Sequence, residues 1–263
     1  MLTMGCDVGS TSSKAVILKD GTEIIASKIV PLGTGTKGPA AVYQEVLDLA
    51  GVAREDLDML VATGYGRLTF QGADKQVSEL SCHARGVSFL NPAVRTLVDI
   101  GGQDLKALRV NSRGGMENFV MNDKCAAGTG RFLEVMAKIL DVPIGELGEL
   151  ALKSNTKMII SNTCTVFAES EVVSHLSNGV PIEDIAAGIA RSVANRAASL
   201  IGRVGVVDTV AISGGVSKNK GIVHFLSEEL NTPVYVSEIA QLAGAIGAAL
   251  FGYSAVLKQE KRE

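Results

Sequence analysis

The sequence has no Trp, only four Tyr, and no basic stretch ahead of an apolar segment at its start. Without aromatic side chains on which bases could stack, and with a net charge of −3, a nucleic-acid partner is disfavoured. No uninterrupted apolar run reaches about 18 residues, so we expect no membrane span. The start of the chain predicts no secretory signal, and together these absences predict a cytoplasmic location.

Cysteine is also scarce, with four residues in 263 and none paired as CxxC. This spacing excludes the zinc-ribbon and thioredoxin patterns, and a cytoplasmic location disfavours disulfides. Cys6 falls in a predicted strand and Cys82 in a predicted helix, where cysteine typically packs as a small buried hydrophobe. The remaining two cysteines lie in polar, glycine-containing or hydroxyl-rich segments, so they need a separate explanation.

Glycine, in contrast, is abundant at 29 residues, and two of its clusters belong to an internal repeat. Residues 7–16 read DVGSTSSKAV and residues 99–108 read DIGGQDLKAL, an offset of 92. The residues that match at this offset are Asp7 and Asp99, Gly9 and Gly101, Lys14 and Lys106, and Ala15 and Ala107. A repeat of this kind predicts two copies of one folding unit.

The surroundings of both loops predict an α/β fold built from two duplicated lobes. Each loop joins two strand-like segments. After the first loop, residues 15–30 read as two strands that are joined at Asp20-Gly21, a strong turn signal. We predict a first lobe over 1–95, completed by a helix over 242–257, and a second lobe over 96–241. The other predicted elements are helices over 39–50, 78–90, 130–140, 166–177 and 182–205, and strands over 57–64, 158–163 and 209–215.

The first loop has the composition of a phosphate site. Backbone N–H groups and the hydroxyls of Ser10, Thr11, Ser12 and Ser13 can cradle phosphates, Asp7 can hold Mg²⁺ through water, and Lys14 adds a positive charge. One such loop is common in ordinary turns, but two facing copies can clamp one polyphosphate. A third cluster, SGGVSKNKG (213–221), follows a strand and opens a helix, where a flat glycine edge favours a nucleoside. No Walker A sequence is present.

Cys125 and Cys164 lie in the segments NDKCAAGTGR and SNTCTVFAES, each of which leads into a predicted helix. The positive end of a helix favours a negatively charged thiolate. The pattern alone leaves two interpretations open, either two unrelated buried cysteines or two ligands of a metal centre. An iron–sulfur cluster normally needs four thiolates, so two per chain would require a two-fold homodimer.

The three glycine-rich elements, in this order, resemble the nucleotide site of the actin, hexokinase and Hsp70 superfamily. The cysteine segments, NDKCAAGTGRFL and TCTVFAESE, resemble the activator (initiator) component of 2-hydroxyacyl-CoA dehydratases, a family that includes the ATPase subunits of benzoyl-CoA reductases. The resemblance covers nearly the whole chain and includes TGYGR (63–67), ADKQVSELSCHARG (73–86) and the terminal QLAGAIGAAL.

This resemblance implies an actin-like (ribonuclease H-like) fold around a nucleotide cleft, with ATP and Mg²⁺ as ligands. It also implies an ATP-hydrolysing homodimer that accepts an electron from ferredoxin or flavodoxin and passes it to a dehydratase in an anaerobic, amino-acid-fermenting cell. Gln103 or Asp104 would position the attacking water, a choice left open here. The implied site for phosphates and Mg²⁺ comprises Asp7 to Lys14 with Gly101, Gly102, Gln103 and Asp104. The implied nucleoside site comprises Gly214, Gly215 and Gln241. Cys125 and Cys164 of each subunit would hold one shared [4Fe–4S] cluster.

Three alternatives remain at this point. A small-molecule kinase of the same fold would need a catalytic Asp beside its substrate and would not use the two cysteines. A filament-forming or scaffolding actin-like protein would polymerise with nucleotide. The ATPase subunit of a benzoyl-CoA reductase would share the site residues but work inside a stable complex.

Overall fold

The computed structural model describes residues 1–122, 126–161 and 163–261, so the predicted ligand Cys125 lies outside the described residues. The chain divides into two compact units, each with its own five-stranded sheet. The first unit comprises Met1–Val94, Val110–Glu117 and the chain from Ser237 onward. The second comprises Arg95–Arg109 and Asn118–Val236.

The two sheets contain ten strands and the two units contain eight α-helices within the described residues. The strands are β1 (Leu2–Val8), β2 (Ser13–Lys19), β3 (Glu23–Val30), β4 (Met59–Thr63), β5 (Lys75–Gln76), β6 (Thr96–Ile100), β7 (Leu105–Val110), β8 (Met116–Asn122), β9 (Val210–Ser213) and β10 (Val234–Val236). The helices are α1 (Gly38–Ala50), α2 (Glu79–Leu90), α3 (Gly130–Ile139), α4 (Leu147–Ala151), α5 (Thr165–Ser177), α6 (Ile182–Val204), α7 (Lys220–Leu230) and α8 (Ala243–Glu260).

Both sheets have the same strand order. The first runs β3-β2-β1-β4-β5 and the second, from its opposite edge, runs β8-β7-β6-β9-β10. In each sheet the first strand pairs antiparallel with the second and parallel with the fourth. The predicted α/β class with two duplicated actin-like lobes is therefore confirmed.

Local sequence explains why several elements begin and end where they do. Asp20 and Gly21 both have positive φ (52° and 66°), which the tight turn between β2 and β3 requires. Helix α2 starts after Ser78, whose side chain accepts a hydrogen bond from the N–H of Ser81. Helix α1 ends at Gly51, which adopts the left-handed conformation with φ of 66°.

Glycines let helices α2 and α8 approach each other closely in the first unit. A methyl group on Gly247 would overlap the carbonyl of Cys82, and one on Gly86 would overlap the carbonyl of Ala243. Helix α8 also packs against β1, and Gly5 meets it there in the same way. The glycine-rich composition of α8 therefore serves backbone-to-backbone packing.

The same helix comes nearer to a membrane span than the sequence analysis predicted. Residues Ala240–Glu260 are long and apolar enough to cross a bilayer by length and composition, with a mean hydropathy of 1.5. However, 61% of that apolar window is buried inside the protein, as in the core helix of a globular unit.

The core of the second unit forms between its sheet and helices α3, α5 and α6. Phe132, Met136 and Ile160 are fully buried there. Burying a side chain of this size contributes roughly 1.5–3 kcal/mol relative to leaving it in water. Helix α6 has the largest share of this core, because its buried face runs from Ile185 to Val204.

The predicted strand over 158–163 is wrong, because its described residues form no ladder with either sheet. The segment instead lies against α6, where the N–H of Ile160 donates to the carbonyl of Gly188 at 3.2 Å. Ile160 is buried while Ile159 is 55% exposed. An extended segment packed on a helix produces the same alternation as a strand, which explains the incorrect assignment.

We predict that Gly247→Ala destabilises the protein by about 1–3 kcal/mol, because the methyl group must push α2 away from α8. The matched control is Gly202→Ala in α6, where an added methyl meets no atom within 4 Å. That variant should gain up to about 1 kcal/mol, because alanine loses less backbone entropy than glycine in a helix. Denaturant unfolding measures both, and equal midpoints for the two variants would contradict the close-packing account.

Candidate active site

Each sheet presents one hairpin whose tip consists of two residues. In the first, the N–H of Gly9 donates to the carbonyl of Ser12 at 3.1 Å. In the second, the N–H of Gly101 donates to the carbonyl of Asp104 at 3.0 Å. The tips are therefore Ser10-Thr11 and Gly102-Gln103, which occupy equivalent places in the two units.

The first hairpin leaves its backbone donors available. Within the described residues, the N–H groups of Ser10, Thr11 and Ser12 donate no hydrogen bond, and all three residues are half-buried. Ser13 differs, because it is buried and its hydroxyl donates to the carbonyl of Leu32 at 2.8 Å. The tip can thus offer several convergent N–H and O–H donors to an anion, while the Ser13 hydroxyl holds the hairpin in place.

Asp7 ends β1 beside this tip and is 2% exposed. Its Oδ2 atom lies 3.4 Å from Nζ of Lys14, its antiparallel neighbour on β2. Its Oδ1 atom is buried and accepts no hydrogen bond from any described residue. An unpartnered buried carboxylate oxygen is costly unless a water or cation completes it, so the site fits a hydrated Mg²⁺ held by Asp7.

Gly64 brings the loop after β4 against the same carboxylate. Its φ is 87°, and a methyl group at this position would overlap Oδ1 of Asp7. The N–H of Gly66 donates to the carbonyl of Val8 at 2.8 Å, and Nη1 of Arg67 donates to the carbonyl of Gly64 at 3.1 Å. This loop therefore forms one wall of the Asp7 site.

The second unit has the same arrangement with a different outcome. Asp99 ends β6, and Gly214, with a φ of 83°, follows β9 and would place a methyl group 2.9 Å from Oδ1 of Asp99. Here Oδ1 accepts a hydrogen bond from the hydroxyl of Ser213 at 2.7 Å. In the first unit, the equivalent Thr63 donates its hydroxyl to the carbonyl of Val77 instead. Asp7 is therefore the carboxylate that retains an unpartnered oxygen.

Gln103 and Asp104 have different environments at the second tip. Asp104 is half-buried, and its Oδ1 atom forms an ion pair with Nζ of Lys106 at 2.8 Å. Nζ of Lys106 also lies 3.5 Å from Oδ2 of Asp99, and Lys106 is 2% exposed. Gln103 is exposed at the tip itself. Asp104 is thus engaged within the hairpin, whereas Gln103 is exposed and has no hydrogen bond to a described residue.

The residues predicted for a nucleoside lie in two separate elements. Gly214 is buried against the carbonyl of Ile100, whereas Gly215 is exposed and begins a short 3-10 helix, Gly215–Lys218. Gln241 belongs to the 3-10 helix Ala240–Leu242 of the first unit. Its Oε1 atom is buried and accepts no hydrogen bond from a described residue. A ligand that donates to this oxygen would relieve the cost of its burial.

Cys6 and Cys82 are buried, as the sequence predicted, and they differ in this from Cys164. Both are fully buried, and burial raises the pKa of each thiol, that of Cys82 to about 12. Such thiols stay protonated at neutral pH and are poor metal ligands. Cys164, in contrast, is half-buried, has a free thiol, and directly precedes α5.

Helix α5, which follows Cys164, has three large apolar side chains that are exposed. Val166 and Phe167 are 64% and 67% exposed, and Val173, about two turns after Val166, is 48% exposed. Exposed apolar side chains gathered on one short helix are a feature of association surfaces. Cys164, the one of the two predicted ligands that the structure describes, directly precedes this helix.

Gly64 is a site residue that was not predicted from the sequence. The sequence did contain a signal, because Thr63-Gly64 at the end of β4 corresponds to Ser213-Gly214 at the end of β9. Only the strand register shows that both glycines stand beside an aspartate.

We predict that Gly64→Ala lowers the affinity for Mg²⁺·ATP at least tenfold, because the methyl group displaces the Asp7 carboxylate. Gly72→Ala is the matched control, since Gly72 has a φ of 88° and nothing within 4 Å of an added methyl group. Both variants carry the backbone strain of about 1–2 kcal/mol, but only one moves Asp7. Titration calorimetry measures the affinities, and an equal loss in both variants would show that strain alone is responsible.

Proteins of known name match this chain over nearly its full length. The 2-hydroxyisocaproyl-CoA dehydratase activator of Clostridioides difficile is 54% identical, over 99% of this chain and 98% of its own. The activator of lactoyl-CoA dehydratase of Anaerotignum propionicum is 52% identical, over 98% and 100%. The (R)-2-hydroxyglutaryl-CoA dehydratase activating ATPase of Acidaminococcus fermentans is 55% identical, over 97% and 98%.

The structural match agrees with these identities. The solved structure of the Clostridium difficile 2-hydroxyisocaproyl-CoA dehydratase activator, with bound ADPNP, superposes with a TM-score of 0.96 and covers 100% of this chain and 98% of its own. Residues 4–252 match the BadF/BadG/BcrA/BcrD ATPase family. The sequence resemblance is thereby confirmed, and the chain belongs to the BadF/BadG/BcrA/BcrD ATPase family.

Proposed function

We propose that this protein is an ATP-hydrolysing iron–sulfur activator that transfers one low-potential electron from ferredoxin or flavodoxin to a 2-hydroxyacyl-CoA dehydratase. The observation that carries the nucleotide part is the buried, unpartnered Oδ1 atom of Asp7 beside a hairpin tip with open N–H donors. The names of relatives that are 52–55% identical support the dehydratase as the partner.

The nucleotide part of the proposal assigns a task to each hairpin. Asp7 would hold a hydrated Mg²⁺, which neutralises phosphate charge when bound. Ser10, Thr11 and Ser12 would donate to phosphate oxygens, with Lys14 as a nearby positive charge. The N–H groups of Gly102 and Gln103 would do the same from the second tip, since neither donates to a described residue. Gly214, Gly215 and Gln241 would accommodate the nucleoside.

Between the two candidates for orienting the attacking water, we favour Gln103. The Oδ1 atom of Asp104 is engaged by Nζ of Lys106 at 2.8 Å, which leaves this carboxylate less available to a water molecule. Gln103 is exposed at the tip, and its amide can both accept from and donate to a water molecule. Asp104 would then serve to hold the hairpin rather than to contact the water.

The cluster part of the proposal assigns Cys125 and Cys164 as ligands of one [4Fe–4S] cluster per homodimer. Cys164 fits as a ligand because its thiol is free, half-buried and placed at the start of a helix, whose dipole favours a bound negatively charged group. The cluster would supply one-electron chemistry at low potential. Since each chain offers two of the four thiolates needed, the exposed apolar side chains of α5 support a second copy as the neighbour.

The partners follow from this chemistry. A protein that only passes an electron needs a small reduced carrier on one side, ferredoxin or flavodoxin, and the dehydratase on the other. Nucleotide can drive the transfer only if it binds one arrangement of the protein more tightly than another. The proposal places the protein in the cytoplasm, with no role for nucleic acid or membrane.

We predict that Gln103→Ala lowers the kcat of ATP hydrolysis about a hundredfold while changing the affinity for ATP only a few-fold, because it removes the group that orients the water. Asp104→Asn should lower kcat far less and should lower the melting temperature, since it weakens the ion pair with Lys106. Steady-state ATPase kinetics with nucleotide titrations separate kcat from binding. A large kcat loss confined to Asp104→Asn would reverse the assignment.

We predict about four irons per dimer in anaerobically purified protein, and only traces in the Cys125→Ala and Cys164→Ala variants. Cys82→Ala is the control, because its thiol is buried and protonated. Iron and sulfide analysis with the electron paramagnetic resonance spectrum of the reduced protein measures the cluster. The cysteine variants should still bind ATP but fail to activate a dehydratase, and a colourless wild-type protein would refute the cluster proposal.

A further inference from the structure

Thr129 directly precedes helix α3 but does not cap it. Threonine at this position normally accepts a hydrogen bond from an N–H of the first turn, and here its side chain makes no such bond. Its Oγ1 atom instead lies 2.7 Å from the carbonyl oxygen of Ala126 and 3.1 Å from that of Gly102. Thr129 is fully buried, so this hydroxyl depends on these two acceptors.

The first N–H groups of α3 are satisfied by the second hairpin. The N–H of Gly130 donates to the carbonyl of Gly101 at 2.9 Å, and the N–H of Arg131 donates to the carbonyl of Gly102 at 2.8 Å. With Thr129, three hydrogen bonds therefore join the tip of this hairpin to the start of α3. The segment they fasten begins at Ala126, immediately after Cys125 in sequence.

Peptide planarity gives these bonds a further consequence. The carbonyl of Gly101 shares a plane with the N–H of Gly102, and the carbonyl of Gly102 shares one with the N–H of Gln103, and in a trans peptide the two groups point in opposite directions. Because the carbonyls face α3, the N–H groups face the other side, where they donate to no described residue. A phosphate bound to these N–H groups would fix the planes and strengthen the bonds to α3.

The first hairpin is fastened differently. The carbonyl of Gly9 accepts from the N–H of Thr34 at 2.9 Å, and Val8 accepts from Gly66 at 2.8 Å. Both donors belong to loops, so among the described residues only the second hairpin tip is fastened to the start of a helix.

We infer that Thr129 is a positioning residue that couples phosphate binding at Gly101-Gly102-Gln103 to the position of the segment that follows Cys125. When phosphate holds the two peptide planes, Thr129, Gly130 and Arg131 keep the start of α3 in place. When phosphate leaves, the planes can rotate and the segment is released. The inference rests on the proposed nucleotide site, and it names the residue through which that site acts.

The test is hydrogen–deuterium exchange on the anaerobically purified full-length protein with ADP and with a non-hydrolysable ATP analogue. In wild type, the analogue should slow exchange over residues 126–133 about fivefold relative to ADP, an effect equal to one hydrogen bond. Thr129→Val keeps the shape without the hydroxyl and should reduce this difference, because it removes one of the three hydrogen bonds. Thr129→Ser keeps the hydroxyl and should restore it.

Thr3→Val is the matched control, because Thr3 is also fully buried and its hydroxyl donates to one backbone carbonyl, that of Ala249, at 3.0 Å. It should cost similar stability yet keep the nucleotide difference over 126–133. Two results would overturn the inference. One is a Thr129→Val protein that keeps the full difference. The other is a wild type in which the analogue protects the 7–14 peptide while the 126–133 peptide does not respond. A wild type in which neither peptide is protected by either nucleotide, relative to nucleotide-free protein, would instead refute the nucleotide site itself.

Discussion

A carboxylate buried at the end of a central strand is expensive unless its charge is matched, and each unit of this protein contains one. Asp99 is matched within the chain by Ser213 and Lys106. Asp7 has Lys14 at 3.4 Å on one oxygen and no described partner on the other. The duplicated scaffold therefore holds one carboxylate that is fully matched and one that keeps a buried oxygen without a described partner.

Much of this scaffold was predictable because it depends on local rules. The repeat of Asp, Gly and Lys at an offset of 92 marks the two hairpins, and Asp20-Gly21 marks the turn of the first meander. The burial of Cys6 and Cys82 followed from the elements that contain them. These features need only strand periodicity, turn chemistry and a count of repeats.

Other features depend on register and packing that no local pattern specifies. The difference between Gln103 and Asp104 arises because Lys106 pairs with Asp99 across the β6–β7 ladder and so comes within 2.8 Å of the Asp104 carboxylate. Gly64 lies beside the carboxylate of Asp7 only because the preceding residue, Thr63, is the parallel neighbour of Asp7 on β4. The segment around Ile160 imitates a strand because it is extended and half-buried, but helix α6, rather than a sheet, provides its neighbour.

The hydroxyl of Thr129 carries one proton, yet two carbonyl oxygens lie within its reach. One proton cannot serve both acceptors at full strength, so strengthening either bond weakens the other. Moving the proton from Gly102 towards Ala126 therefore costs less than breaking a complete hydrogen bond, which is itself only about 1 kcal/mol. Such a shared donor lowers the cost of shifting the segment relative to the hairpin, which is the property that the inferred role of Thr129 requires.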